Sequence, residues 1–171
     1  MVCRLAMSPQ ERRPPTCLRC VEEDCLPIWM ASELLSFGWM SRIYGACHPL
    51  IKRKIAGRFN VQDWQLGSWL HTLSYIRNVC AHHSRLWNRE IAIKPAIPRT
   101  SPAWPYLVPS ADRLYCVLVI VRHCLLQISP RCGWRDHLFG LFDRHPEVDL
   151  GAMHFPANWR ASPPWAPNGT P

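Results

Sequence analysis

Apolar positions recur along this chain with the spacing of helices. Leu66, Trp69, Leu70, Leu73, Ile76 and Cys80 fall at i, +3, +4, +7, +10 and +14, one stripe on a helix running from about Gln62 toward His83. Leu114, Val117, Leu118, Val121, Leu125 and Ile128 repeat the pattern, with Ser110 placed to cap the helix that carries them. Trp134, Leu138, Leu141 and Phe142 predict a last helix over about 133–144. Upstream, "LPIWMASELLSFGWMSRIY" sets Met30, Leu34, Phe37 and Tyr44 at helical spacing from Leu26, with Pro27 in the first turn. After Pro49, "LIKRKIAGRF" reads as a short basic helix. No segment alternates as a strand would, and there is no Gly-rich phosphate loop. The expected fold is all-α: a bundle of four to five helices with irregular termini.

Prolines mark the boundaries. Five of the eighteen residues in "IKPAIPRTSPAWPYLVPS" are proline, which makes 93–110 a loop. Residues 1–25 show no period and read as an irregular leader. Residues 26–150 form the helical domain. Residues 151–171 form a Pro/Trp-rich C-terminal tail expected to lie over the surface.

Charge changes the picture once it is located. The chain of 171 residues carries a formal +8. Between Ser41 and Ala111 ten Lys and Arg face two acids, Asp63 and Glu90, while the rest of the chain balances. The whole excess is therefore central, where it suits a polyanion such as nucleic acid or forms a solvated basic face.

Nine cysteines, an odd number irregularly spaced, do not read as a disulfide framework. Cys80, Cys116 and Cys124 sit in apolar helical patterns as small hydrophobes, and the chain is expected in a reducing, cytoplasmic compartment. Cys17, Cys20 and Cys25 give C-x2-C-x4-C, but a zinc site would need a fourth ligand from Cys3, Cys47 or a His, and no second C-x2-C exists. A zinc-bearing DNA-binding protein is the weakest reading, and no metal or cofactor is expected. The longest apolar run, Leu114–Val121, is too short to cross a bilayer, so no membrane association is expected.

The chemistry concentrates in "YIRNVCAHHSRLWNR", residues 75–89. The stripe explains Ile76 and Cys80 but not Arg77, Asn78, His82, His83 or Arg85. Asn78, His82, Arg85 and Arg89 are spaced as one polar helical face. Arg77 lies five residues before His82, about 140° around a regular helix. One copy places the pair poorly, but two copies around a twofold axis could bring both into a cleft, with Ala81 small enough for close approach. His and Arg together can cleave RNA without metal. Imidazole moves the proton of a 2′-hydroxyl or of the leaving 5′-oxygen, and guanidinium grips the phosphate. Paired carboxylates for two-metal chemistry are missing nearby. The plainer reading is a solvated helix end whose Arg and His bind the last carbonyls.

"RNVCAH" resembles the R-N-x-x-x-H signature of the HEPN superfamily, all-α domains that often act as metal-independent ribonucleases. The longer string resembles the Abi-like family, abortive-infection proteins of the AbiD and AbiF kind. "LPIWMASELLSFGWMSRIY" and the ending "HFPANWRASPPW" are similar to that family's text on either side. The resemblance implies a HEPN-like fold and an endoribonuclease that damages RNA in phage defence. It implies a site shared between two protomers, with Arg77 and His82 catalytic and Asn78 as the polar residue after the Arg. Arg85, Arg89 and the Lys52, Arg53 and Lys54 cluster would hold the RNA backbone, with His83 and Asn88 in support. RNA, a second copy of the chain, and an antitoxin or regulatory RNA are the implied partners. Two departures stand out. Residues 1–25 do not resemble the helical region that members carry there, so an N-terminally truncated form is expected. Ala152 and His154 stand where glycine is expected. A non-catalytic helical RNA- or protein-binding module, or an inactive relic of the family, is the alternative.

Overall fold

The computed structural model describes residues 30, 35–98, 104 and 106–166. The leader, the start of the first expected helix at Leu26, and the Cys17, Cys20 and Cys25 cluster lie outside the described residues. Among the described residues the fold is all-α. Its helices are α1 (Phe37–Ala46), α2 (Pro49–Gly57), α3 (Asp63–Ala81), α4 (Leu114–Ile128) and α5 (Trp134–Arg144), followed by 3-10 turns at Gly151–Met153 and Trp159–Ala161. No helix in this set is long and apolar enough to cross a membrane.

α3 is the central element, with α1, α2 and α4 packed on it. Gln62 opens it with a capping box, its backbone N–H donating to the Gln65 side chain at 2.9 Å. α1 crosses closely because Gly38 has no side chain: a Cβ there would stand 3.2 Å from Ser74 Oγ. Tyr44 of α1 binds two elements at once, its hydroxyl donating to the carbonyls of Asp63 (2.9 Å) and Lys52 (3.3 Å). The expected helix from Leu26 to Tyr44 is not continuous. Ser36 is extended, and α1 starts at Phe37.

The stripe on α3 is largely as the spacing predicts, with one correction. Leu66, Trp69 and Ile76 are buried, but Val79 takes the last inward position and Cys80 is exposed. The change falls in the last turn before the helix ends at Ala81, where Val79 is buried and Cys80 is exposed. α4 differs more. Of the expected stripe Val117 is buried, Leu114, Leu118, Val121 and Leu125 are half-buried and Ile128 is exposed, while Tyr115, Cys116, Val119 and Ile120, outside the stripe, are also buried. A helix apolar all round is enclosed by neighbours, so periodicity alone does not choose its core face. Burial pushes the Cys116 and Cys124 thiols up to about 12, which keeps them protonated hydrophobes. Ser110 does not cap α4. Its hydroxyl binds the Asp112 carboxylate, and Arg113 is the N-cap residue without a side-chain bond.

Two features were invisible in the pattern. The first is His123, a histidine 1% exposed in the core. Its Nε2–H donates to the Phe59 carbonyl at 2.6 Å, and Nδ1 faces the Tyr106 hydroxyl at 3.4 Å. The rings of Trp69, Trp104 and Tyr106 surround it at centroid distances of 5.1–5.7 Å. Nothing in the sequence around His123 names those partners, which come from three other segments. The second is the tail, which is core rather than surface. Met153, Phe155, Trp159 and Trp165 are all buried. Trp165 stacks on Trp134 at 6.1 Å, meets Trp159 edge-on at 5.4 Å and donates Nε1–H to the Tyr115 hydroxyl. Two arginines hold the same stretch by its backbone: Arg122 Nε donates to the Pro164 carbonyl and Arg135 Nη1 to the Trp165 carbonyl, each at 3.4 Å.

Two outcomes follow from this packing. Trp165→Ala should cost about 3–5 kcal/mol in urea unfolding, whereas Leu141→Ala, at a position 44% exposed, should stay within about 0.5 kcal/mol. His123 titrates against stability. Burial, opposed by the Phe59 bond, lowers its pKa from the ordinary 6.5, so the unfolded chain binds the proton more readily. Stability should be full above pH ~6.5, fall as pH drops through that value and level off below the folded pKa. The urea midpoint measured from pH 7.5 to 5 should show this slope in the wild type and a shallower one in His123→Phe.

Candidate functional site

The segment rich in polar chemistry surrounds the C-terminus of α3. Arg77 and Asn78 occupy its last exposed turn, and Arg77 Nη1 donates to Asn78 Oδ1 at 3.2 Å. His82 is the C-cap residue, with its backbone N–H on the Asn78 carbonyl. His83 is left-handed at φ 51°. Its N–H bonds the Cys80 carbonyl and the Ser84 N–H bonds the Val79 carbonyl, each at 3.0 Å. These two bonds are the pairing that closes a helix through a left-handed residue. Glycine usually fills that place, and histidine is among the side chains that tolerate it.

This closure bears on the plainer reading of the motif. The Asn78, Val79 and Cys80 carbonyls are taken by backbone amides, so the Arg77 and His82 side chains are not needed to cap them. The His82 imidazole is exposed and makes no hydrogen bond among the described residues. The motif therefore presents two adjacent side chains and an imidazole that are exposed and, apart from the Arg77–Asn78 bond, make no side-chain hydrogen bond among the described residues.

The expected polar stripe does not continue as a helix. α3 stops at Ala81, so Arg85 and Arg89 stand on the loop that follows rather than one and two turns further along. Arg89 folds back on α3: its Nε donates to the Tyr75 hydroxyl at 3.3 Å and its Nη1 to the Arg85 carbonyl at 3.5 Å. Asn88 is left-handed at φ 48° and forms a tight turn in which the Arg89 N–H reaches the Leu86 carbonyl at 3.1 Å. Arg85 is exposed, with its guanidinium over the Trp87 ring at 5.9 Å. Trp87 itself was not among the expected site residues. The available signal was an aromatic residue between two arginines in "RLWNR".

Anchors on both sides hold this loop. Ile76 and Val117 pack with Ile91, which is 1% exposed, and the Ile91 N–H donates to the Asp112 carbonyl at 2.8 Å. No acid occurs between Asp63 and Glu90, and the Glu90 carboxylate pairs with Lys94 at 3.4 Å. The loop surface is thus positive without a local acidic partner in sequence. The Lys52, Arg53 and Lys54 cluster is not brought to it. Lys52 lies beside Asp63, since both carbonyls accept from the Tyr44 hydroxyl. Asp63 and Arg77 are separated by about 21 Å along α3 at 1.5 Å per residue.

The left-handed position makes a specific prediction. His83→Gly should keep or slightly raise stability, whereas His83→Val should lose about 1–2 kcal/mol, because a branched side chain does not fit φ 51°. Urea midpoints at pH 7.5 decide between them.

Comparison with known proteins agrees with the motif. The family model described as "Abi-like protein" matches residues 16–88, which include α1, α2, α3 and the loop through Asn88. No curated protein and no solved structure matches the chain. Over residues 16–88, this chain is similar to the Abi-like protein family.

Proposed function

We propose that the chain is a metal-independent endoribonuclease of an abortive-infection system, a HEPN-type domain that acts as a homodimer on RNA. The observation that carries the reading is the end of α3. Arg77, Asn78 and His82 are gathered there within six residues, exposed and released from capping, inside the segment that matches the family.

The chemistry needs no group beyond these side chains. One His82 imidazole takes the proton of a ribose 2′-hydroxyl as its oxygen attacks the adjacent phosphorus. The bond from phosphorus to the 5′-oxygen breaks, and a proton from an imidazolium goes to that leaving oxygen. The products are a 2′,3′-cyclic phosphate and a 5′-hydroxyl. Arg77 holds the phosphate and stabilises its developing charge, and Asn78 orients the Arg77 guanidinium through the 3.2 Å bond. A second copy of the chain would supply the second imidazole. Arg85 is the nearest free cation on the loop, while Arg89 is committed to Tyr75. An RNA that reached both the motif and Lys52, Arg53 and Lys54 would cover about 21 Å of α3.

One observation favours a second reading, a non-catalytic RNA-binding module. Within one chain the Arg77 side chain bonds Asn78 and not His82. The same exposed cations would then bind without turnover.

An end-labelled RNA incubated with the protein in EDTA separates the two. Cleavage should persist in EDTA and leave cyclic phosphate ends. His82→Ala should lower the rate about 10²- to 10⁴-fold, the usual worth of positioned acid–base catalysis, while RNA binding survives. Arg77→Lys should also lose rate, since it keeps the charge but not the bidentate grip. A folded dimer that binds RNA but cuts none, with or without His82, would leave the binding module.

A further inference from the structure

We propose that Trp87 is a stacking platform for an unpaired RNA base, which makes single-stranded or looped RNA the ligand of this site. The inference deepens the RNA reading above and rests on it.

Trp87 is 41% exposed and belongs to neither of the two buried clusters. Exposed tryptophans occur elsewhere, at Trp39 and Trp64, but no hydrogen bond among the described residues fixes either indole. Trp87 is held from several sides. Its Nε1–H donates to the Asp149 carbonyl at 3.4 Å, and the Asp149 carboxylate in turn accepts from the amides of Gly151 (2.8 Å) and Ala152 (3.3 Å). Its backbone sits in the turn closed by Arg89 N–H on the Leu86 carbonyl, with left-handed Asn88 completing the bend. Arg89 is braced against Tyr75 of α3. A large apolar ring is thus kept partly in water by a rigid turn instead of folding onto the core.

The surroundings give the ring its ligand chemistry. Arg85 lies over it at 5.9 Å, and His82 stands five residues before it in the chain. An aromatic face next to a free guanidinium suits a nucleotide: the base stacks on the ring while the cation meets the phosphate. Bases inside a duplex are already stacked and offer only their edges, whereas bases in single strands, loops and bulges can splay onto an aromatic side chain. The ring therefore selects for unpaired RNA, and it adds affinity that does not depend on charge.

The test uses the full chain carrying His82→Ala, so that bound RNA is not cut. Fluorescence anisotropy measures the affinity for a labelled twelve-nucleotide oligoadenylate, for the blunt duplex with its complement and, by competition, for inorganic polyphosphate. Adding Trp87→Ala should weaken the single strand roughly five- to a hundredfold, the size of one lost base stack. Trp87→Phe should recover most of it. Affinity for duplex and polyphosphate should stay within about twofold, and the salt dependence of single-strand binding should not change, because no phosphate contact is removed. Unchanged single-strand affinity in Trp87→Ala would overturn the proposal. So would equal weakening toward all three ligands, which would mean that the turn had lost its shape. A parent chain that binds no single strand would overturn it as well. The cleavage assay keeps the two readings apart. Trp87-dependent binding by a chain that cuts nothing removes the nuclease and leaves the platform, and cleavage indifferent to Trp87 does the reverse.

Discussion

The bond from His123 to the Phe59 carbonyl is a buried polar tie between parts of the chain 64 residues apart. It ties α4 to the turn that follows α2, and it does so inside a wall of aromatic rings contributed by α3 and by the proline-rich segment. The carbonyl is at the frayed end of α2, where intrahelical partners have run out. A buried carbonyl without a donor would be costly, as would a buried imidazole without an acceptor. Each satisfies the other, so the relative placement of α2, α3 and α4 is fixed by one polar pair rather than by shape alone. Trp69 extends the junction, because its indole N–H holds the Ala96 carbonyl at 2.8 Å while Ser68 Oγ accepts from the Ala96 amide at 3.0 Å. In a stretch where proline removes donors, Ala96 is where the loop can be pinned from both sides.

That pinning has a consequence at the other end of α3. The chain leaves the helix at Ala81, travels through the loop carrying His82 to Glu90, and re-enters the core at Ile91 and then at Ala96. The loop is long enough to be shaped by its own turns yet short enough to be held at both ends. Two left-handed residues, His83 and Asn88, make those turns. Neither is glycine, so each turn has a side chain where glycine would leave open freedom. The result is a loop with a defined shape whose polar groups are largely unspent, as binding or catalysis requires of groups that must be ready before a ligand arrives.

The sequence made the helices legible where the period was strong and one face was solvated. α3 and α5 lie within two residues of their expected limits, and the described residues of the expected loop, 93–98, 104 and 106–110, are not helical. It was less informative where a helix is enclosed. In α4 spacing revealed a stripe of which only Val117 is buried, while Tyr115, Val119 and His123, buried outside it, have no spacing signal to mark them. The tail misled for a different reason. Its prolines signal irregular backbone correctly, but irregular backbone can still deliver side chains to a core, and Trp159 and Trp165 do so. The motif residues themselves were visible because they break the apolar stripe. The end of α3 was read to within two residues, but the polar spacing from Asn78 to Arg89 runs past it as though the helix continued. The fold turns there instead, so Arg85 and Arg89 stand on a loop.

The division of labour among the three arginines follows from that ending. Had α3 continued, Arg85 and Arg89 would project from one side with equal freedom. Because the chain turns instead, Arg89 is drawn back to Tyr75 and becomes a brace, Arg85 is left over Trp87 at the surface, and Arg77 remains on the helix with Asn78. Three residues of one type thus acquire three surroundings: one held by a phenol, one beside an indole, one oriented by an amide. A charge held by structure is a weak ligand for phosphate, because its donors are already engaged, whereas a charge beside an exposed ring is available and directional. The turn chemistry of His83 and Asn88 therefore sets which of the two loop arginines is braced on α3 and which is left exposed beside an indole.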